Sequence, residues 1–102
     1  MIKDKFNNFT VFCVQELNIN EEAKLRLAQM NAMSSEILIA TFMQTLHPHK
    51  VAIENHDETC IGKIVEVSDE LKDVLLQAFE SASDAQQEKM WRYLNCFLEL
   101  SL

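Results

Sequence analysis

The densest set of side chains with metal-binding chemistry lies in the middle of the chain. His47-Pro48-His49 is followed by His56-Asp57-Glu58 and then by Cys60. Zinc is held by about four nitrogen, sulfur or oxygen donors in a tetrahedron, and His49, His56 and Cys60 supply three such donors. The segment has no Cys-x-x-Cys pair and no two histidines at the i, i+4 spacing of a helix. The spacing therefore favours a polar surface loop, with a small metal-binding protein as the alternative.

Cys60 with His56 is also the one local pairing that resembles a cysteine nucleophile, whose thiolate needs a nearby imidazole. Cys13 and Cys96 fall at positions typical of a core, where a free thiol packs as a small hydrophobic group. The chain has one glycine, Gly62, which excludes the glycine-rich loops that hold phosphate groups. We therefore expect a non-enzymatic protein with no catalytic residue and no cofactor.

The end of the chain carries candidate interface residues. Trp91 and Tyr93 are two residues apart, so on a helix they point in different directions. If Trp91 belongs to the core, Tyr93 lies with Arg92 and Lys89 toward solvent or a partner, and arginine and tyrosine often anchor interfaces. The leucines near the end of the sequence, Leu100 among them, exceed what one helix face buries. We predict Arg92, Tyr93 and Leu100 as interface residues for an unknown protein partner, with a homo-oligomer left open. A surface tyrosine whose ring lies against the protein is the alternative.

Helices are expected to position these side chains. Apolar residues recur at spacings of three and four, and a single glycine and a single proline leave little of the turn chemistry that β-hairpins need. We predict an all-α, compact single-domain bundle of five or six short helices spanning residues 1–102. The predicted helices cover residues 3–17, 21–33, 35–46, 48–55, 69–81 and 84–100.

Polar side chains that cap the free amides of a first helical turn mark where these helices begin. They are Asn20, Ser34, Ser35, Ser68 and Ser83. Ser83 with Gln86 matches the capping box, in which each side chain bonds the other residue's amide. Only a few residues join the last two predicted helices, a length typical of an antiparallel αα-hairpin.

Inward-facing residues follow from the same periodicity. In the third helix the apolar positions are Ile37, Leu38, Phe42 and Leu46, and in the last they are Met90, Trp91, Leu94, Phe97 and Leu98. The weakest pattern runs from residue 56 to 67, with Ile61, Ile64, Val65 and Val67 around the glycine. We expect a loop or broken helix there, with a short edge strand as the alternative.

The charge balance disfavours a nucleic-acid-binding face. Nine lysines and arginines against sixteen aspartates and glutamates give a formal charge of -7, and the basic residues are scattered along the sequence. Phosphate backbones are repelled by such a chain, so we expect no direct nucleic-acid binding, and an acidic mimic of DNA is an alternative.

No apolar run approaches the ~18 residues that a membrane-spanning helix needs, so we expect no membrane partner. The three cysteines are far apart and odd in number, which is typical of reduced thiols. We predict a cytoplasmic protein.

Two resemblances add to this interpretation. The first is carried by the residues Pro48, His49, Lys50, Ile53, Asp57, Glu58, Lys89, Trp91, Tyr93, Leu94 and Leu98. In these positions the chain resembles short uncharacterised proteins of nucleocytoplasmic large DNA viruses and large marine phages, which implies a viral origin and a helical fold without implying any chemistry.

The second resemblance is to the dimeric helical subunit of the bacterial flagellar master regulator, through Leu17-Asn18-Ile19-Asn20-Glu21-Glu22 and Leu27-Ala28. It implies an accessory subunit that binds DNA only together with a partner. We predict a non-catalytic protein-interaction or regulatory module that binds another protein through a helical face. The accessory subunit of a transcription regulator is an alternative.

Overall fold

Helix is the regular secondary structure that the capped apolar stripes form. The computed structural model describes the backbone of residues 1–102 and every side chain except that of Glu70. The α-helices are α1 Ile2–Glu16, α2 Glu21–Asn31, α3 Ser35–Thr45, α4 Lys50–Glu54, α5 Thr59–Val67, α6 Asp69–Ser81 and α7 Asp84–Leu100. One turn of 3-10 helix, His47–His49, leads into α4, and no strand occurs in the described backbone. The predicted all-α bundle is confirmed.

The predicted caps account for where several helices begin. Asn20 accepts a hydrogen bond from the amide of Ala23 at 2.9 Å, Ser34 caps α3 and Ser68 caps α6. Ser83 forms the predicted capping box, because Gln86 N donates to the Ser83 hydroxyl while Ser83 N donates to the Gln86 side chain. Each cap satisfies amides that a first turn leaves free.

The loop or broken helix expected within residues 56–67, and the edge strand given as its alternative, are wrong from Thr59 onward, because α5 runs without a break to Val67. Asp57, two residues before the helix begins, holds its first residue: Asp57 Oδ1 accepts from the amide of Thr59, at 3.0 Å, and from the Thr59 hydroxyl, at 2.7 Å. Gly62 keeps a negative φ. The helix is held by the burial of one face, which carries Cys60, Ile61 and Ile64, so packing outweighs the low helix propensity of glycine.

Aromatic rings fill the centre of the bundle between α1, α3 and α7. The Phe42 and Phe97 rings stack with centroids 4.8 Å apart, and Phe6 and Phe9 lie 5.8 and 5.6 Å from Phe97. Trp91 is buried as predicted, at the other end of α7's apolar face. This ring cluster fixes α1 against α7 and so sets the geometry of the surface between them.

One apolar residue expected to point inward, Ile37 in the first turn of α3, is 52 % exposed. A helix has 3.6 residues per turn, so Ile37 points away from the buried Phe42 and Leu46, which are five and nine residues further on. Val67, the last residue of α5 and part of the apolar set around Gly62, is also exposed.

Helices α6 and α7 are joined by Ala82 and Ser83 and contact each other at that turn. The rings of Phe79 and Trp91 meet edge to face at 5.0 Å, and Gln87 Nε2 donates to the carbonyl of Phe79 at 3.2 Å. Away from the turn, α6 packs mainly on α5 and α2, while α7 packs on α1, α3 and α4. Helices α5 and α6, joined through Ser68, form the more extensive pair.

Within the residues described, no helix has both the length and the apolar composition that crossing a bilayer requires.

Candidate functional site: a basic groove between the first and last helices

A groove on the outside of the α1–α7 contact gathers basic side chains. It has a volume of about 280 Å³ and is lined by Lys5, Lys89, Arg92, Tyr93 and Cys96. Lys5 comes from α1 and the other four from successive turns of α7. We call this surface the basic groove. Three of the nine basic residues of an acidic chain therefore lie around one tyrosine.

The cations of the basic groove differ in how far they are neutralised. Lys89 Nζ lies 3.5 Å from Glu16 Oε2 and 5.3 Å from the centroid of the Phe12 ring. Lys5 and Arg92 form no ion pair with any of the carboxylates that the structure describes. Two positive charges of the groove are thus available to an anionic ligand.

Tyr93 joins the basic groove to the core. Its ring contacts those of Phe9 and Phe12, with centroids 5.4 and 5.8 Å away, so the side chain is half-buried. Burial raises the pKa of the Tyr93 phenol, and the neighbouring Cys13, Glu16 and Cys96 raise it further. The phenol is therefore protonated at neutral pH and available as a hydrogen-bond donor.

The predicted interface residues are divided by the structure. Arg92 and Tyr93 line the same groove, whereas Leu100 is half-buried against the core and lies outside it. Lys89 was expected toward solvent or a partner but was not counted among the interface residues, and Cys96 was expected in the core. Their spacings of four and three from Tyr93 place both on its side of the helix. Nothing in the sequence around Lys5 indicates a place in the groove, since only the packing of α1 on α7 brings Lys5 close to Arg92 and Tyr93.

Cys96 also differs from its predicted place in the core. It is half-buried, whereas Cys13 is buried as expected. Position 96 faces the margin of the α1–α7 contact, where the groove begins. A periodic stripe does not distinguish the centre of a packed face from its edge.

The three residues of the metal hypothesis lie in different surroundings. The His56 ring stacks on Trp91, with centroids 5.3 Å apart and planes 5° from parallel, and His56 has a left-handed φ of 54°. Cys60 is buried on α5 and His49 lies in the 3-10 turn. In the part of the chain with described side chains, no three histidine, cysteine, aspartate or glutamate residues are grouped closely enough to hold a metal ion.

The thiols of Cys13 and Cys60 are poor candidates for nucleophiles. Burial raises the pKa of the Cys13 thiol to about 12. Burial also raises the pKa of the Cys60 thiol, and the negative charge of Asp57 adds to this effect. Because the thiolate is the reactive form, both groups are held in their unreactive state at neutral pH.

Ser101 and His47 are hydrogen-bonded, but the direction of the bond is the reverse of that in a catalytic serine–histidine pair, where the hydroxyl donates to the imidazole. Ser101 Oγ lies 2.8 Å from His47 Nε2 and donates to the carbonyl of Phe97 at 2.6 Å. A hydroxyl has a single proton, so His47 Nε2 must be the donor in its bond to Ser101. The hydrogen bond joins the end of α7 to the turn before α4. Because His47 Nε2 is the donor in it, this nitrogen cannot act as a base that takes the Ser101 proton.

Comparisons with protein-family models, with curated proteins and with solved structures gave no match to this chain. The proposals that follow rest on its own residues.

Proposed function

We propose that this protein is a non-catalytic interaction module that binds an acidic segment of a partner protein in the basic groove. The observation that supports the proposal is the gathering of Lys5, Lys89 and Arg92 on one groove of a chain whose formal charge is -7. Charge complementarity selects an acidic ligand locally, even though the net charge of the protein is negative.

The side chains of the basic groove suit carboxylates beside an apolar anchor. Arg92 presents a planar guanidinium that binds a carboxylate through two hydrogen bonds, and the protonated Tyr93 adds a phenol donor. The partly exposed ring of Tyr93 and the thiol of Cys96 supply apolar surface. A volume of about 280 Å³ lies just below the roughly 300 to 1,000 Å³ of sites that enclose a whole small molecule, so the groove receives side chains of a segment that continues outside it.

The chemistry of the remaining polar groups agrees with a binding role. The thiols of Cys13 and Cys60 are protonated because burial raises the pKa of each. The hydroxyl of Ser101 is engaged with the Phe97 carbonyl. These groups are enclosed or hydrogen-bonded within the bundle, whereas Lys5 and Arg92 of the basic groove are available on its surface.

A charge-reversal experiment tests the proposal. The probe is a fluorescein-labelled twelve-residue peptide of glutamate and leucine, and binding is followed by fluorescence anisotropy. We expect Arg92→Glu and Lys5→Glu each to weaken binding by about 5- to 10-fold, as for exposed charges that face a ligand. Lys72→Glu is the matched control, since Lys72 is exposed on α6 and lies outside the groove, and it should change Kd less than about 2-fold.

Equal weakening by all three substitutions would show that only net charge matters, and it would overturn the proposal. Affinity purification with the wild-type chain and with Arg92→Glu then identifies the natural partner as the protein that the variant loses. A second copy of this chain is distinguished by sedimentation equilibrium. The homo-oligomer, the viral origin and the cytoplasmic location remain predictions of the sequence.

A further inference from the structure

The one glycine of the chain occupies a helix interior without a structural need for it. Gly62 lies in the middle of α5, and its φ is not positive. A Cβ atom built on it meets nothing within 4 Å. Glycine weakens a helix interior relative to alanine, so neither backbone conformation nor close packing inside the protein explains its presence. The open space beside Gly62 leaves the backbone of α5 accessible to a ligand.

Gly62 lines a groove of about 270 Å³ where α5 and α6 meet the start of α7. Ile61 is buried at its base, and Leu76 of α6 is 37 % exposed beside it. Phe79 is half-buried and its ring packs on Trp91. The middle of the groove is therefore apolar and open to solvent directly above the glycine. We call it the Gly62 groove.

Carboxylates surround the Gly62 groove. Glu58 and Glu80 lie at its edge, and an adjoining groove that shares Glu58 and Gln87 with it adds Asp84 and Glu88. No lysine or arginine lines either groove among the residues described, and these four acids take part in none of the ion pairs formed by the described side chains. The apolar centre is thus bordered by unneutralised negative charge.

We propose that the Gly62 groove is a second docking site, which binds a cationic amphipathic segment of a partner protein. An apolar side chain of that segment occupies the space above Gly62 and contacts Ile61, Leu76 and Phe79. Lysine or arginine residues on either side of the anchor pair with Glu58 and Glu80. The anchor reaches the backbone of α5 because no Cβ stands in its way.

This site is independent of the basic groove. The two linings share no residue, and their charges are opposite. A partner segment that suits one groove is repelled by the other, so the two sites select different ligands. The protein would then bridge an acidic and a basic partner segment, and failure of one proposal leaves the other standing.

The test uses a substitution that fills the groove and leaves the charge of the protein unchanged. Gly62→Leu places a side chain in the open space and favours the helix, so the variant is expected to fold. Ala28→Leu, at an exposed position of α2, is the control for added bulk. The probe is a fluorescein-labelled twelve-residue peptide of lysine and leucine, titrated against the 102-residue chain.

We expect Gly62→Leu to weaken binding of this peptide by about 10-fold, as for the loss of an interface anchor, and Gly62→Ala to weaken it less. Glu58→Gln with Glu80→Gln should weaken it by about 5-fold. Ala28→Leu should bind as the wild type does. In a ¹⁵N-labelled sample the peptide should shift the amide resonances of Ile61, Gly62 and Leu76.

Two further peptides separate charge from apolar contact. A peptide of lysine and serine should bind weakly and be insensitive to Gly62→Leu, whereas a peptide of glutamate and leucine should not bind this groove. Unchanged binding of the lysine–leucine peptide to Gly62→Leu would overturn the proposal, since attraction to the net charge would then explain it. Equal shifts of the three amides by the glutamate–leucine peptide would overturn the assigned charge of the ligand.

Discussion

At the scale of single residues, the three cysteines show how the same side chain acquires different properties from its surroundings. Cys13 is fully enclosed, Cys60 is buried close to Asp57, and Cys96 is half-buried in the basic groove. Burial raises the pKa of a thiol because the thiolate loses its hydration. The consequence is strongest at Cys13, where the pKa is about 12.

The raised pKa of Cys13 predicts a loss of stability in alkali. Below pH 9 the thiol is neutral in both states, and its contribution is fully present. Between pH 9.0, the ordinary pKa, and about 12 only the unfolded chain ionises, so proton release favours unfolding. We expect the wild type to lose roughly 1 kcal/mol more per pH unit than Cys13→Ala does between pH 9 and 10.5.

Urea unfolding of both proteins at a series of pH values measures this difference. The variant starts from a lower free energy of unfolding because it leaves a small cavity, so the slopes are compared and not the values. The lysines titrate alike in both proteins and cancel in the comparison. Parallel pH profiles would contradict an enclosed thiol at position 13.

At the scale of elements, local chemistry identifies where a helix begins better than whether a weak segment is helical. The caps at Asn20, Ser34 and Ser83 lie at the predicted positions because each acts on amides two or three residues away. The α5 segment was misjudged because Gly62 obscured the stripe of Cys60, Ile61 and Ile64. That stripe is stabilised by α6, a contact that the local sequence does not contain.

The capping box at the start of α7 gives a prediction about stability. Ser83→Ala removes the hydroxyl that accepts from Gln86 N and should lower the free energy of unfolding by about 1 kcal/mol. Ser35→Ala is the control, since Ser35 is exposed in the first turn of α3, which is capped by Ser34 instead, and it should cost less than about 0.5 kcal/mol. Chemical denaturation followed by circular dichroism measures both, and equal losses would show that the cap contributes nothing of its own.

The same contrast explains how much of the basic groove was predictable. Arg92 and Tyr93 follow from helical geometry once Trp91 is assigned to the core. The contribution of Lys5 depends on α1 packing against α7, about ninety positions along the sequence, and the scattering of basic residues gave no sign of it. Spacing on one helix therefore predicts the α7 side of such a groove, and only the tertiary fold supplies the contribution of α1.

At the scale of the whole molecule, one hydrophobic cluster includes buried residues from every α-helix. The cluster extends from the phenylalanines of α1 to Leu75 of α6 and Trp91 of α7. A continuous core of this kind in a chain of 102 residues is typical of cooperative, two-state unfolding.

Leu75→Ala and Trp91→Ala should each lower the free energy of unfolding by about 2 to 5 kcal/mol, because both side chains are buried and leave cavities. Leu25→Ala, at a position that is 57 % exposed, is the matched control and should cost less than about 1 kcal/mol. Denaturation followed by circular dichroism measures all three. In wild type and Leu75→Ala, Trp91 fluorescence should report the same midpoint, and two separate transitions would contradict a single cooperative core.

The corner between α5 and α6 is a single residue, Ser68, and these helices form the most extensive packed pair of the bundle. Gly62 stands on one side of that corner and Leu76 on the other, so the walls of the Gly62 groove are held at a fixed separation before any ligand arrives. A ligand entering such a preorganised cleft need not order the receptor, and little conformational entropy is lost on the protein side. The conformational entropy lost on binding would then come mainly from the peptide, which becomes ordered in the groove.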